Sequence, residues 1–161
     1  FLPDGSMLIV SMEDEKLLKY SNGQLSDYAD LSPFVTGHPN DMVVDGQGRA
    51  YIGNFGYDLL GGAEPKNANM VLVTPDGAAR IVADDLVFPN GVVITPDGKN
   101  LVVAETFANK LTTFDIDEDG SNALVIDYKT GSSYTYRDMN DDPLGQGKHL
   151  FRVGQINCVA A

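Results

Sequence analysis

Only one cysteine, Cys158, occurs in the 161 residues, which excludes an internal disulfide and any CxxC metal site and leans the expected location toward a reducing, cytoplasmic compartment. Basic residues are also few: 11 Lys and Arg stand against 23 Asp and Glu, a formal charge of −12. A field of that sign repels phosphate backbones and anionic headgroups, so nucleic acid and membrane surfaces are not expected partners. Long apolar runs are missing as well. The longest are four or five residues, far from the roughly 20 needed to cross a bilayer. No basic segment followed by an apolar core opens the chain, so no export signal is visible. There is no initiator Met, and Phe1-Leu2-Pro3-Asp4-Gly5 looks like the middle of a repeat, so the natural start is expected upstream. Chemical motifs are sparse: no G-x-S-x-G elbow is present, and Gly46-Gln47-Gly48 lacks the last glycine and the helix of a dinucleotide loop. Helical periodicity is nearly absent, with a short helix conceivable only around residues 29–34.

What is present is a hydrophobic content of 43%, enough for one globular domain, arranged as strands and turns. The stretch 88–105, FPNGVVITPDGKNLVVAE, organises the rest. Val92-Val93-Ile94 and Leu101-Val102-Val103-Ala104 are short apolar runs rich in β-branched residues, separated by Pro96-Asp97-Gly98. They read as two strands joined by a turn, inside a sheet covered on both faces. Pro89-Asn90-Gly91 sets an amide side chain at the strand mouth, where an asparagine oxygen could meet a cation. The unit occurs earlier too. Pro39-Asn40-Asp41 precedes Met42-Val43-Val44, followed by a glycine turn and then Ala50-Tyr51-Ile52, and eight residues separate both Asn40 from Gly48 and Asn90 from Gly98. Equal offsets predict equivalent places in successive repeats, both pointing toward a common axis.

Gly5, Gly48 and Gly98 mark one set of hairpins, spaced by 43 and 50 residues; Asn22-Gly23, Asp76-Gly77 and Asp119-Gly120 mark a second set between them. Asn-Gly and Asp-Gly tolerate positive φ and suit hairpin turns. Two hairpins per repeat make four strands, and a four-stranded unit every 40 to 50 residues reads as a blade of an all-β β-propeller. Inner strands should be apolar on both faces and outer ones mixed. Residues 55–69, rich in glycine, read as an inter-strand loop over the channel mouth.

Three blades fit into residues 1 to about 125, fewer than the 4 to 8 of typical closed propellers. Residues 1–161 therefore read as a single partial domain of three to four blades, with 121–161 an uncertain tail or a degenerate blade. That fourth blade would use a hairpin from 124–128 and 134–136 around Thr130-Gly131, and Gly145-Gln146-Gly147 at a blade-like distance from Gly98. Residues 138–142 read as a solvated acidic loop and His149 as structural.

Two segments carry a likeness: residues 39–56, PNDMVVDGQGRAYIGNFG, and 86–117, LVFPNGVVITPDGKNLVVAETFANKLTTFDID. They resemble the SMP-30/gluconolactonase/luciferin-regenerating-enzyme family, and the AET-x-x-x-KL stretch resembles its diisopropylfluorophosphatase relatives. The match spans about residues 1–120. The resemblance implies a six-bladed propeller holding a divalent cation over its channel, Ca2+ first with Zn2+ or Mg2+ as alternatives, and hydrolysing a small-molecule lactone or ester. It implies that Asn90 is a metal ligand and that Asn40 binds substrate or metal. His38 stands where some members carry a substrate-binding arginine, a departure that bears on sugar-lactone specificity. The family's glutamate from the first blade would lie upstream of Phe1, and its aspartate from a later blade has no match in the tail.

A hard cation takes about 6 to 8 oxygen ligands, so two neutral amides alone cannot balance its charge. The candidate catalytic bases are Asp41 and the family's unmatched aspartate. Structural readings stand beside these: Asn90 before Gly91 is also an ordinary turn pair. Glu105 reads either as a carboxylate behind the mouth or as an exposed loop residue. The run Asp115 to Gly120 imitates the start of an EF-hand loop, yet Ile126 stands where its glutamate belongs, so a hairpin turn is expected. The leading expectation is a metal-dependent lactonase. Its alternatives are a propeller used only for binding and a phosphotriesterase-like or strictosidine-synthase-like enzyme on the same frame. Open blade edges also invite self-association.

Overall fold

Alternation of apolar residues between glycine turns produces strands throughout the computed structural model, which describes residues 1–118, 120 and 122–128. In chain order these are β1 (Met7–Ser11), β2 (Lys16–Ser21), β3 (Gln24–Asp30), β4 (Pro39–Val44), β5 (Ala50–Asn54), β6 (Ala68–Val73), β7 (Ala79–Leu86), β8 (Pro89–Ile94), β9 (Asn100–Glu105), β10 (Lys110–Ile116) and β11 (Asn122–Tyr128). They form three antiparallel meanders ordered β1-β2-β3, β4-β5-β6-β7 and β8-β9-β10-β11. The turns explain the simple up-and-down order. Asn22 and Gly23 both hold positive φ, 52° and 78°, the two-residue turn whose twist matches that of its flanking strands.

The sheets stack face to face. Leu8, Leu17 and Ala29 of the first sheet, with Leu31 just after β3, pack on Ala50, Ile52, Val71 and Val73 of the second. On its other face Tyr51, Met70, Leu72 and Leu86 pack on Val92, Leu101, Val103 and Phe114 of the third. Successive residues of β5 and β6 thus enter opposite interfaces, as a period of two requires. Each buried Leu, Ile, Val, Met or Phe among them contributes about 1.5–3 kcal/mol by leaving water.

Polar stitches tie each sheet to the next. Tyr28 Oη donates to the Pro75 carbonyl at 2.9 Å in the β6–β7 turn. Gly77 in that turn holds φ +84°, and a Cβ there would meet the Tyr28 carbonyl at 2.8 Å. From the second sheet, Arg49 Nη1 donates to the Glu118 carbonyl at 2.7 Å, while its Nε is ion-paired with Asp45 at 2.6 Å.

Several expectations are corrected. The innermost strands are not covered on both faces: β4 is mostly half-buried and Val93 of β8 is 50% exposed, whereas β5 and β6 are buried throughout. β5 and β6 lie between two sheets, but β4 and β8 neighbour each other at the inner edges, so one side of each is left uncovered. Residues 29–34 hold no helix; β3 runs to Asp30, and Phe34 N closes a turn on the Leu31 carbonyl at 2.9 Å. The first sheet has three strands among the described residues, not four. Residues 122–128 do not start a fourth blade: they are β11, paired with β10 as the outermost strand of the third sheet. Because the Asp117–Gly120 hydrogen bond closes a hairpin turn, strand pairing continues in the same sheet. Residues 129–161, with the proposed second half of that hairpin, the glycines at 145–147, the acidic loop at 138–142, His149 and Cys158, lie outside the described residues.

Candidate functional site

The mouth is built from two bulges. Pro39 pairs with Asn54 and Met42 with Ile52, so three steps along β4 face two along β5. β8 repeats this: Pro89 pairs with Glu105 and Val92 with Val103. Asn40-Asp41 and Asn90-Gly91 are therefore the bulged pairs of two equivalent strands, and a bulge frees its residues from the ladder and re-aims their side chains.

Asn40 reaches the strand that carries Asn90. Asn40 Nδ2 donates to the Pro89 carbonyl at 2.8 Å, the residue directly before Asn90. Asn40 Oδ1 is buried without a hydrogen-bond partner. Gly53 leaves room for it, since a Cβ there would lie 2.8 Å from Asn40 Oδ1 and 3.0 Å from the Pro89 carbonyl. Asn90 is half-buried. Asp41 is half-buried on the same bulge as Asn40. His38 precedes that bulge, and its Nδ1 lies 3.1 Å from the Met12 carbonyl.

Aromatic rings from four segments rim the same end, a feature the sequence reading did not single out. Phe88 stacks on Phe55 at 4.7 Å and 18°, and meets Phe107 at 4.5 Å and 40°. Tyr57 lies edge-on to Phe88 at 6.4 Å, and His38 edge-on to Phe55 at 6.1 Å. The backbone repeats here too: Phe55 N donates to the His38 carbonyl and Thr106 N to the Phe88 carbonyl, both at 3.0 Å. The loop that leaves β5 at Phe55 thus starts at the mouth.

Behind each bulge sits a buried polar residue. Glu105 is fully buried, so the exposed-loop alternative is corrected. Its Oε2 accepts from Val87 N at 2.6 Å, and its Oε1 accepts from Thr112 Oγ1 and lies 3.1 Å from Lys110 Nζ. The register-equivalent Asn54 is likewise fully buried; its Nδ2 donates to the Asn69 carbonyl at 2.9 Å and its Oδ1 accepts from Gly56 N at 2.9 Å. The shared signal in the sequence is a polar residue closing the apolar run of the second strand, AYIGN and LVVAE. Asp115 Oδ1 accepts from Asn100 Nδ2 at 2.7 Å, within the ladder rather than in a cation loop.

These donors fit a cation in part. The orphaned Asn40 Oδ1 is the kind of neutral acceptor a hard cation takes, and Asn90 occupies the equivalent bulge in the adjacent sheet. Among the described residues no group of three His, Cys, Asp or Glu side chains is gathered to complete it.

Comparison with known proteins places this architecture. The family described as SMP-30/Gluconolactonase/LRE-like region matches residues 1–138, beyond the 1–120 expected. Among solved structures, regucalcin, a calcium-binding protein from Agrobacterium tumefaciens, is 24% identical with a TM-score of 0.62, covering 79% of this chain and 42% of that one. A gluconolactonase from Xanthomonas campestris is 19% identical with a TM-score of 0.64, covering 79% and 46%. A periplasmic gluconolactonase from Pseudomonas aeruginosa is 18% identical with a TM-score of 0.57, covering 78% and 37%. The chain spans less than half the length of these structures, and at such identities the likeness carries the fold. No curated protein matches the chain.

Proposed function

This chain belongs to the SMP-30/Gluconolactonase/LRE-like family, and we propose that it hydrolyses lactones at the mouth shared by β4 and β8. The observation that carries this reading is the buried, unpartnered Asn40 Oδ1 on a bulge that recurs at Asn90. A buried acceptor left without a partner costs free energy, and a ligand arriving at the mouth relieves that cost.

Asn40 and Asn90 are the residues of this chain that would hold a divalent cation, Ca2+ first and Zn2+ or Mg2+ as alternatives. When bound, such an ion supplies polarisation of the lactone carbonyl and stabilisation of the developing oxyanion. The remaining chemistry is assigned to side chains. Asp41, on the Asn40 bulge, takes the proton from the attacking water as its oxygen bonds to the carbonyl carbon. The ring C–O bond then breaks, and the same proton passes to the departing alkoxide to give the open hydroxy acid. The Asn40 amide, tied to the Pro89 carbonyl, orients the site across two sheets.

Hydrolysis of a δ-lactone in the presence of Ca2+ tests the assignment. Asn90→Ala is expected to lower kcat/KM by roughly a hundredfold, the usual effect of removing one group that holds a metal or an oxyanion. An unchanged rate in that variant removes Asn90 from the site and leaves a propeller used for binding alone.

A further inference from the structure

We propose that the aromatic rim makes this mouth selective for lactones bearing an apolar alkyl or aryl group, rather than polyhydroxylated sugar lactones; the inference rests on the lactone reading above. Three observations carry it.

First, Phe88, itself buried, is the hub of a ring cluster whose solvent-facing members are Phe55 and Phe107. Phe55 stacks on one side and Phe107 on another, each within 5 Å between centroids, and Tyr57 closes the edge. These rings come from the β5–β6 loop, the residue leading into β8 and the β9–β10 turn, so tertiary structure rather than local sequence assembles them at one end. A polyhydroxylated ring needs a dense set of donors and acceptors, whereas aromatic faces offer apolar area and edge or stacking contacts.

Second, the backbone at Phe88 is held in the left-handed region, φ +54°. A bulky residue adopts it only when its surroundings impose it, and such residues concentrate at ligand sites. The equivalent position in the preceding sheet is His38, which lies edge-on to Phe55 and extends the same surface.

Third, Phe107 leaves 53% of its surface exposed while touching the hub. A large ring kept half in water beside Phe88, two residues from Asn90, is an apolar face ready to be covered by a ligand. The net charge of −12 further disfavours phosphorylated lactones.

Two non-hydrolysable cyclic ethers separate the classes: chroman, a benzo-fused apolar ring, and 1,5-anhydroglucitol, a polyhydroxylated ring of the same size. In saturation-transfer NMR titrations chroman is expected to bind at least roughly tenfold more tightly. Phe107→Ala should weaken chroman roughly five- to tenfold, and Phe107→Leu should keep it within about twofold, at unchanged thermal midpoints. Equal or tighter binding of 1,5-anhydroglucitol, or no effect of Phe107→Ala on chroman, overturns the inference. Hydrolysis of dihydrocoumarin and glucono-δ-lactone is measured in parallel. Chroman selectivity without hydrolysis of either lactone defeats the hydrolase reading and leaves the apolar ligand preference standing, whereas hydrolysis without chroman selectivity defeats the preference alone.

Discussion

Gly53 faces the Asn40 side chain, and its missing Cβ is what leaves room for the Asn40 amide. A Cβ would meet Asn40 Oδ1 at 2.8 Å and the Pro89 carbonyl at 3.0 Å, and the second of these is backbone that cannot rotate away. Gly53→Ala is therefore expected to destabilise the fold by about 1–3 kcal/mol, as overpacking does, and to lower lactone turnover together with it. Denaturant unfolding and the hydrolysis assay check both; full stability with full activity would show that Asn40 does not need this space. At this scale the equivalence of two positions was legible, their role as ligands being the proposal above. Asn40 and Asn90 could be read because equal offsets in two repeats survive as equal bulges in two sheets. Glu105 could not, because its burial is decided by Val87, Thr112 and Lys110, which reach it only after the chain has folded back. The aromatic rim was hidden for the same reason: Phe55, Phe88 and Phe107 are far apart in sequence, and no local pattern announces that they stack.

The elements owe their order to turns, and the turns owe theirs to aspartates. Asp4 is held down at about 2, first by the Ser6 hydroxyl, then by the Ser6 amide and Lys19. Ser32 lowers Asp30, Thr74 lowers Asp76 and Thr95 lowers Asp97, each through a side-chain hydrogen bond first and a backbone amide second. A carboxylate depressed in the folded state stabilises it above the unfolded value of about 3.9, and that contribution is lost as pH falls through the folded value. Stability should therefore decline as the solution is taken from about pH 4 toward pH 2. Carboxyl NMR titration is expected to place Asp4 near 2, and Asp97→Asn should flatten the decline measured by thermal unfolding. A pH-independent midpoint over that window would contradict this account. These turns were the most readable elements, since Asn-Gly, Asp-Gly and Pro-Asp-Gly act locally. The short helix conceivable around 29–34 does not form, because pairing of β3 with β2 as far as Asp30 outweighs a short run of mixed residues.

At the scale of the whole molecule, the described residues repeat one register three times. Met7 and Ile9 pair with Tyr20 and Leu18 across β1 and β2, as Ala50 and Ile52 do with Val73 and Val71 across β5 and β6, and as Leu101 and Val103 do with Phe114 and Thr112 across β9 and β10. The second and third sets are buried against a preceding sheet; in the first, Ile9 is 36% exposed. Blade spacing made this plan visible before any coordinates, because a fixed period survives in sequence when each repeat solves the same packing problem. Strand counts per sheet were less visible. The spacing alone assigned 124–128 to a new unit, and only pairing of β11 with β10 returns it to the third sheet. The central claim is that this repetition delivers Asn40 and Asn90 to one ligand. Side-chain amide NMR tests it most directly: with increasing Ca2+ and a bound δ-lactone, the Asn40 and Asn90 NH2 signals are expected to shift together along one binding curve, and Asn90→Ala to abolish the Asn40 shift. Separate curves, or an Asn40 signal indifferent to the loss of Asn90, would contradict a shared site.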